Sequence, residues 1–141
     1  MHLNISHLPG TGAAGAMGAG MIAFFGSQLQ MGIETVLDTV HFSQAISDAD
    51  MIFTGEGKFD QQSLHGKTVI GIAKRAKEKN IPVVVLAGGI EDDMDAAYEM
   101  GISAVFSINR LPQKFAVSRY KSVENMAATF ENILRLIKSL K

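Results

Sequence analysis

The sequence predicts an α/β fold: a parallel sheet with helices on both of its faces. Three observations predict it. From residue 51 onward, short apolar runs alternate with helical patterns in the order β-α-β-α-β-loop-α. The runs "MIFT", "VVVLA" and "AVFS" are almost continuously apolar, as strands buried on both faces are. The charge is also unevenly spread. No Lys or Arg precedes Lys58, whereas five acids do: Glu34, Asp38, Asp48, Asp50 and Glu56; the remainder carries 13 basic and 9 acidic residues. Two structural units are therefore expected to meet near residue 50.

The elements follow in order. Residues 1–12 read as loop, with "PGTG" as a turn signal. Over 13–25 small residues alternate with Met17, Met21, Ile22, Phe24 and Phe25. That pattern predicts a buried helix whose glycines permit close backbone approach, ended by Gly26. A short strand fits 28–30. Ile33, Val36, Leu37 and Val40 fall at helical spacing, and 42–47 reads as a further helical turn or two. The strand 51–54 precedes a helix over 66–79. This helix turns Val69, Ile70, Ile72, Ala73 and Ala76 inward and Lys74, Arg75, Lys77, Glu78 and Lys79 outward. A buried strand at 83–87 ends in glycines. A helix over 93–100 is stopped by Gly101, and a strand follows at 104–107. The last helix, 123–140, sets Val123, Met126, Ala127, Phe130, Ile133, Leu134, Ile137 and Leu140 on one stripe, with Ser122 as N-cap. Ahead of it lies a basic loop, 109–121, with Arg110, Lys114, Arg119, Lys121 and no acid. Long loops in compact domains are often functional.

Composition narrows the function. The 141 residues suit one domain, or one domain and part of another, and 47% are apolar. A net charge of −1 gives no general basic footprint for nucleic acid. With no cysteine, thiolate metal sites, disulfides and cysteine nucleophiles are excluded. The four histidines form no HExxH-like pattern. The run "AAGAMGAGMIAFF" falls short of the ~20 residues that span a bilayer, and no basic residue precedes it as in a signal peptide. The expected setting is soluble and cytoplasmic, with no membrane and no nucleic-acid partner.

The densest chemistry is "TGEGKFDQQSLHGK", beginning at Thr54. It continues from the carboxyl end of a strand, where open α/β sheets keep their ligands. Gly55 and Gly57 let the backbone approach a ligand. Glu56 and Asp60 can coordinate Mg²⁺ or take a proton from a hydroxyl. Lys67 can reach a phosphate, and the N–H groups of the helix start add a weak anion site. A solvated β-α loop with surface charges fits the same pattern. It is not a Walker A motif, since the first required glycine falls on Gln61. The run Gly10-Thr11-Gly12-Ala13-Ala14-Gly15 matches GxGxxG, with Glu34 at the expected acidic offset, but a proline interrupts the segment before it. A glycine-rich helix start that binds a carboxylate or phosphate, and a tight turn into a close-packed helix, are the other readings. "LAGGIEDD" places Gly88, Gly89, Glu91, Asp92 and Asp93 beyond another strand end, where a parallel sheet can set it beside 55–60. An ordinary acidic turn fits it as well. His65 is either a proton shuttle or an exposed bystander.

Together the two motifs resemble the bacterial glycerate kinases, which phosphorylate D-glycerate to 2-phosphoglycerate with ATP. "PGTGAAGAMGAG" is similar to that family's PGxGAAGGxG segment. The second motif is similar to its TGEGxxDxQ[ST]xxGK segment, matching at Thr54, Gly55, Glu56, Gly57, Asp60, Gln62, Ser63, Gly66 and Lys67. The likeness extends over about residues 6–140. Ala16 departs from it, standing where the family usually has a second glycine. The family's DSFKG and ADGGEGT segments do not occur in the chain. Family members are two to three times longer, so the resemblance implies a carboxy-terminal part.

The resemblance implies a fold of two α/β lobes, one inserted in the other. Residues 1–45 would be a piece of the inserted lobe, and 46–141 the returning half of a Rossmann-like lobe, an incomplete parallel sheet with flanking helices. It implies ATP, D-glycerate and Mg²⁺ at the site. Asp60 would act as base or metal ligand, Glu56 as metal or substrate-positioning group, and Lys67 as phosphate contact. Gly12, Ala13, Ala14 and Gly15 would receive the glycerate carboxylate or a phosphate, with Gly55, Gly57, Gln62 and Ser63 lining the loop. Half a cleft implies little or no activity alone. Uncovered strand edges imply a homo-oligomer or a need for the amino-terminal part. A non-catalytic α/β fragment or nucleotide-binding module of kinase ancestry is the alternative, and a nicotinamide-cofactor domain is a third reading.

Overall fold

The structure is a computed structural model that describes residues 4–5, 7–64, 68–91 and 93–140. Its centre is a parallel three-stranded sheet in the order β1 (Ile52–Glu56), β2 (Val83–Ala87), β3 (Ile102–Ser107). The helices are α1 (Ala13–Phe25), α2 (Gly32–Thr39), α3 (Phe42–Ala45), α4 (Thr68–Lys77), α5 (Asp95–Glu99), α6 (Phe115–Ser118) and α7 (Ser122–Ser139). The α/β parallel sheet expected from the alternating pattern is therefore present.

β2 explains why its run is apolar at every position. All five residues are buried. Side chains alternate across a strand, so Val83, Val85 and Ala87 face one way and Val84 and Leu86 the other. Val85 and Ala87 join Val69, Ile70 and Ala73 of α4 and Ala97 of α5 in one core cluster. Val84 and Leu86 pack with Ile133 of α7, with Phe130 and Ile137 against them. Phe53 of β1 meets Phe130 edge-on, their ring centroids 4.7 Å apart. Gly101 closes α5 in the left-handed region at φ +111°, and a Cβ there would lie 2.8 Å from Ala73 O.

A third cluster, of Ile46, Ala76, Ile81 and Val83 with Phe42 and Ala49, seats the segment after α2 on the same lobe. Gly71 is the seat for α2, because a Cβ there would meet Ile33 Cγ1 at 2.5 Å. Arg75 of α4 fastens the contact, pairing with Glu34 and Asp38 at 2.7 Å each.

Several expectations change. α1 forms where the pattern places a helix, but none of its residues is buried, and Phe24 is 83% exposed. Apolar composition drives burial only where another surface is available to cover it. Residues 28–30 form no strand. Ser122 is the first residue of α7, after Lys121 at the N-cap; its hydroxyl donates to Arg119 O at 2.9 Å instead of capping. The basic loop contains α6 and a 3₁₀ turn, Arg119–Lys121. On α7, Phe130, Ile133 and Ile137 reach the core, whereas Val123 and Leu140 stay exposed.

Candidate functional site

The site lies at the carboxyl ends of the strands. β1 runs through Thr54 and Gly55 to Glu56, paired in register with Val85, Leu86 and Ala87. The pairing then continues past the sheet. Gly88 N–H donates to Glu56 O at 3.2 Å, Phe59 N–H to Gly89 O at 2.8 Å, and Glu91 N–H to Phe59 O at 3.1 Å. The loop after β2 thus lies beside the loop after β1, as the parallel arrangement predicts. The two backbones nearly touch: a Cβ on Gly88 would stand 2.6 Å from Gly57 O. Any larger residue at 88 would force the loops apart.

Phe59, with no exposed surface, anchors the loop in the core. Beyond it Asp60 shapes the 3₁₀ turn Gln61–Leu64. Its Oδ1 accepts from the N–H groups of Gln62 (3.0 Å) and Ser63 (3.2 Å). Buried Ser63 returns the bond, its hydroxyl accepting from Asp60 N–H at 3.2 Å. A short acidic side chain that binds the backbone two and three residues on is a turn-forming device. The loop therefore holds the Asp60 carboxylate in a fixed place.

Lys58 joins the two loops electrostatically. Its ammonium lies 2.7 Å from Glu91 Oε1 and 3.3 Å from Asp60 Oδ2. The hydrogen bond to Glu91 and then that to Asp60 raise the Lys58 pKa. At Asp60, desolvation pushes the pKa up, but the Lys58 contact and the N–H groups of Ser63 and Gln62 outweigh it. The carboxyl is held below its ordinary value. Asp60 is thus ionised at neutral pH, suited to holding a cation or positioning a hydroxyl more than to taking up a proton.

A cavity of about 440 Å³ opens between these loops and the basic segment, lined by Gly57, Lys58, Gly89, Asn109, Arg119 and Ser122 among others. The Asn109 side chain donates to Gly88 O and ties the segment to the loop. Sequence reasoning marked the segment as basic and long, but it did not single out Asn109, Arg119 or Lys58 as site residues.

Gly55 and Glu56 end β1, Gly57 and Asp60 lie on the loop that follows, and Gln62 and Ser63 sit in the 3₁₀ turn beyond it. Among the described residues, no hydrogen bond joins Gly12, Ala13, Ala14 or Gly15 to residues 55–63. At that motif Ala14, Gly15 and Ala16 are left-handed, with φ of 51°, 65° and 67°. His65, Gly66, Lys67 and Asp92 lie outside the described residues. Among the described residues, no group of three or more His, Cys, Asp or Glu side chains is placed to hold a metal ion. Among the described residues, no helix is long and apolar enough to cross a membrane.

Comparison with known proteins places this geometry. The sequence model of the glycerate kinase family matches residues 1–138. The glycerate kinase of Bacillus cereus is 42% identical over 135 residues, which is 96% of this chain and 35% of that protein. The glycerate 2-kinase of Escherichia coli is 44% identical over 108 residues, 77% of this chain and 28% of that one. A crystal structure from Salmonella typhimurium, provisionally named glycerate kinase 2, superposes with a TM-score of 0.72 at 38% identity. It covers 98% of this chain, which in turn spans 35% of it. The chain spans about a third of the length of the curated relatives it matches, and it belongs to the glycerate kinase family.

Proposed function

We propose that this chain supplies one wall of a phosphoryl-transfer cleft in which ATP phosphorylates D-glycerate to 2-phosphoglycerate. The observation that carries the reading is the paired loop at the strand ends, with an ionised, fixed Asp60 beside Lys58 and a cavity lined by glycine backbone. Phosphoryl transfer demands positioning and charge neutralisation more than covalent chemistry. Asp60 holds the glycerate hydroxyl or the metal, Glu56 positions beside it, and Lys67 offsets phosphate charge. Gly12, Ala13, Ala14 and Gly15 receive the substrate carboxylate or a phosphate. The donor set fits Mg²⁺. One or two carboxylates with substrate phosphates suffice for that ion, and Asp60 and Glu91 already converge on one cation, the Lys58 ammonium. When bound, Mg²⁺ supplies charge neutralisation at the phosphate oxygens.

The chain alone has little or no activity, because the other wall of the cleft lies in the part of the family that it does not match. It completes itself with that part or self-associates through its uncovered faces, and it works in the cytoplasm. A coupled assay of ADP release with D-glycerate and Mg-ATP tests this. The 141-residue chain is compared with a chimera in which it replaces the matching portion of the Bacillus cereus glycerate kinase. The expected result is turnover by the chimera only. Turnover by the chain alone at the ~1–100 s⁻¹ usual for kinases would contradict the half-cleft account, and a folded but inactive chimera would favour a non-catalytic module.

A further inference from the structure

Arg75 joins three helices. Its Nη2 lies 2.7 Å from Glu34 Oε2 and 2.7 Å from Asp38 Oδ1, both on α2. Its Nε donates to the same Glu34 oxygen at 3.3 Å, and its Nη1 donates to Ser43 Oγ on α3 at 3.4 Å. Among the described residues, the hydrogen bonds and ion pairs that tie residues 7–40 to residues 42–140 all end on Arg75. The apolar share of the contact is narrow. Ile33 and Leu37 lie over Gly71, and Leu37 is the buried residue of α2.

Each end of this junction leads to one of the two motifs. Leu29 lies against Gly10 and Gly18, where a Cβ would stand 3.3 and 3.1 Å from Leu29 Cδ1. The Thr35 hydroxyl of α2 donates to Gln30 Oε1 at 3.2 Å. The glycine-rich motif is thus carried on α2. On the other side, Val69 and Ile70 of α4 share a core cluster with Phe59 and Leu64 of the Asp60 loop. Ile70 and Arg75 are about 8 Å apart along the helix axis, at 1.5 Å per residue. One helix therefore seats the Asp60 loop near its start and α2 farther along.

The corner after α2 has the parts of a hinge. His41, between α2 and α3, is left-handed at φ 50°, a strained conformation for a residue with a Cβ. A cavity of about 250 Å³ lies beside it, lined by Leu37, Asp38, His41, Phe42, Ser43 and Arg75 among others. Arg75 grips both sides of the corner, Asp38 before it and Ser43 after it. We propose that Arg75 latches this hinge and so fixes the glycine-rich motif relative to the Asp60 loop, as a positioning residue for phosphoryl transfer. The latch stands on these contacts, and its consequence for the reaction rests on the kinase reading. Groups held on separate elements act together only while their spacing is kept, and a misplacement of about 1 Å costs on the order of 10²-fold in rate.

The chain has no cysteine, so introduced pairs can be labelled cleanly. Nitroxide labels at Phe24→Cys on α1 and Lys79→Cys beyond α4 report the distance by pulsed electron resonance in the 141-residue chain. One narrow distance is expected for the parent and a broad distribution for Arg75→Met. Arg75→Lys should be intermediate, because one ammonium cannot reach both acids and Ser43 as the guanidinium fork does. Glu34→Gln combined with Asp38→Asn should broaden the distance as Arg75→Met does. This pair leaves α4 unaltered and keeps the test open if Arg75→Met misfolds. Arg135→Met, which breaks the exposed pair with Glu131, should leave the distance narrow. A narrow distance in the unlatched variants, or a broad one in the parent, would overturn the latch. In the folded chimera Arg75→Met should lower kcat/KM for D-glycerate on the order of 10²-fold, and Arg75→Lys should restore part of it. Broadened distances with unchanged kinetics would overturn the positioning role. Broadened distances beside an inactive parent chimera would keep the latch and remove the kinase reading.

Discussion

The strand β2 and the helix α1 are both apolar runs, yet they end in opposite states. β2 is buried at all five positions between α4 and α7. α1 has no buried residue, and Phe24 and Phe25 are 83% and 76% exposed. The difference is the presence of a second surface. β2 has neighbours on both edges and both faces, whereas among the described residues α1 packs mainly on its own entry loop, where a Cβ on Gly18 would lie 2.5 Å from Gly10 O. The helix has the composition of an interface whose other side is absent among the described residues. A groove of about 410 Å³ along β1, lined by Phe53, Leu86, Val123, Met126 and Phe130, tells the same story on the sheet.

The contrast can be broken by mutation. Phe59→Ala in the loop core should cost about 3–5 kcal/mol, as large-to-small changes of buried aromatics do, against a total stability on the order of 5–15 kcal/mol. Phe24→Ala should change stability by no more than about 0.5 kcal/mol. Urea denaturation measures both. Equal losses would mean that α1 is covered in solution, by a second copy or otherwise. Next in size, Gly88→Ala should cost about 1–3 kcal/mol by pressing a methyl group on Gly57 O. Hydrogen exchange should show the Phe59 and Glu91 amides losing protection first.

A smaller effect sharpens the view of α1. Ala16→Gly should relieve about 1 kcal/mol of left-handed strain. It should appear as slower exchange of the helix amides, because an uncovered helix gains local order without adding to global stability. The smallest effect concerns acid. The Asp60 pKa is lower folded than unfolded, so its stabilising share is complete above the ordinary carboxylate pKa of about 4 and fades as pH falls through the folded value. Asp60→Asn should therefore flatten the acid limb of a stability–pH curve. An unchanged limb would mean that the Lys58 pair does not persist in solution.

Much of the lobe was legible because local pattern and packing agree there. β2 falls at 83–87 as the unbroken apolar run predicts, and α7 begins one residue before the predicted start because its stripe is strong. β1 extends two residues past the predicted end, through Gly55 and Glu56, because its length is set by pairing with Leu86 and Ala87 and not by its own sequence. At the site, the glycines that permit close approach were visible, and so were the carboxylates. The bridge from Lys58 to Glu91 was not, since residues 33 apart meet only through the topology. Nor could periodicity reveal that α1 lacks a cover, because hydrophobicity says what a surface seeks and not what it finds.

The central claim is that the loop beyond β1 takes part in chemistry and is not only a well-made turn. The kcat of the Asp60→Asn chimera, measured with D-glycerate and Mg-ATP beside its KM and its thermal stability, tests it most directly. Asn can keep the bonds from Gln62 and Ser63 N–H but carries no charge for a metal or a substrate hydroxyl. The account predicts a fall in kcat of about 10²–10³-fold, the scale of one lost electrostatic group in a site, with glycerate KM little changed and the fold intact. A near-normal kcat in a folded Asp60→Asn chimera would contradict it and leave Asp60 as the cap of a structural turn.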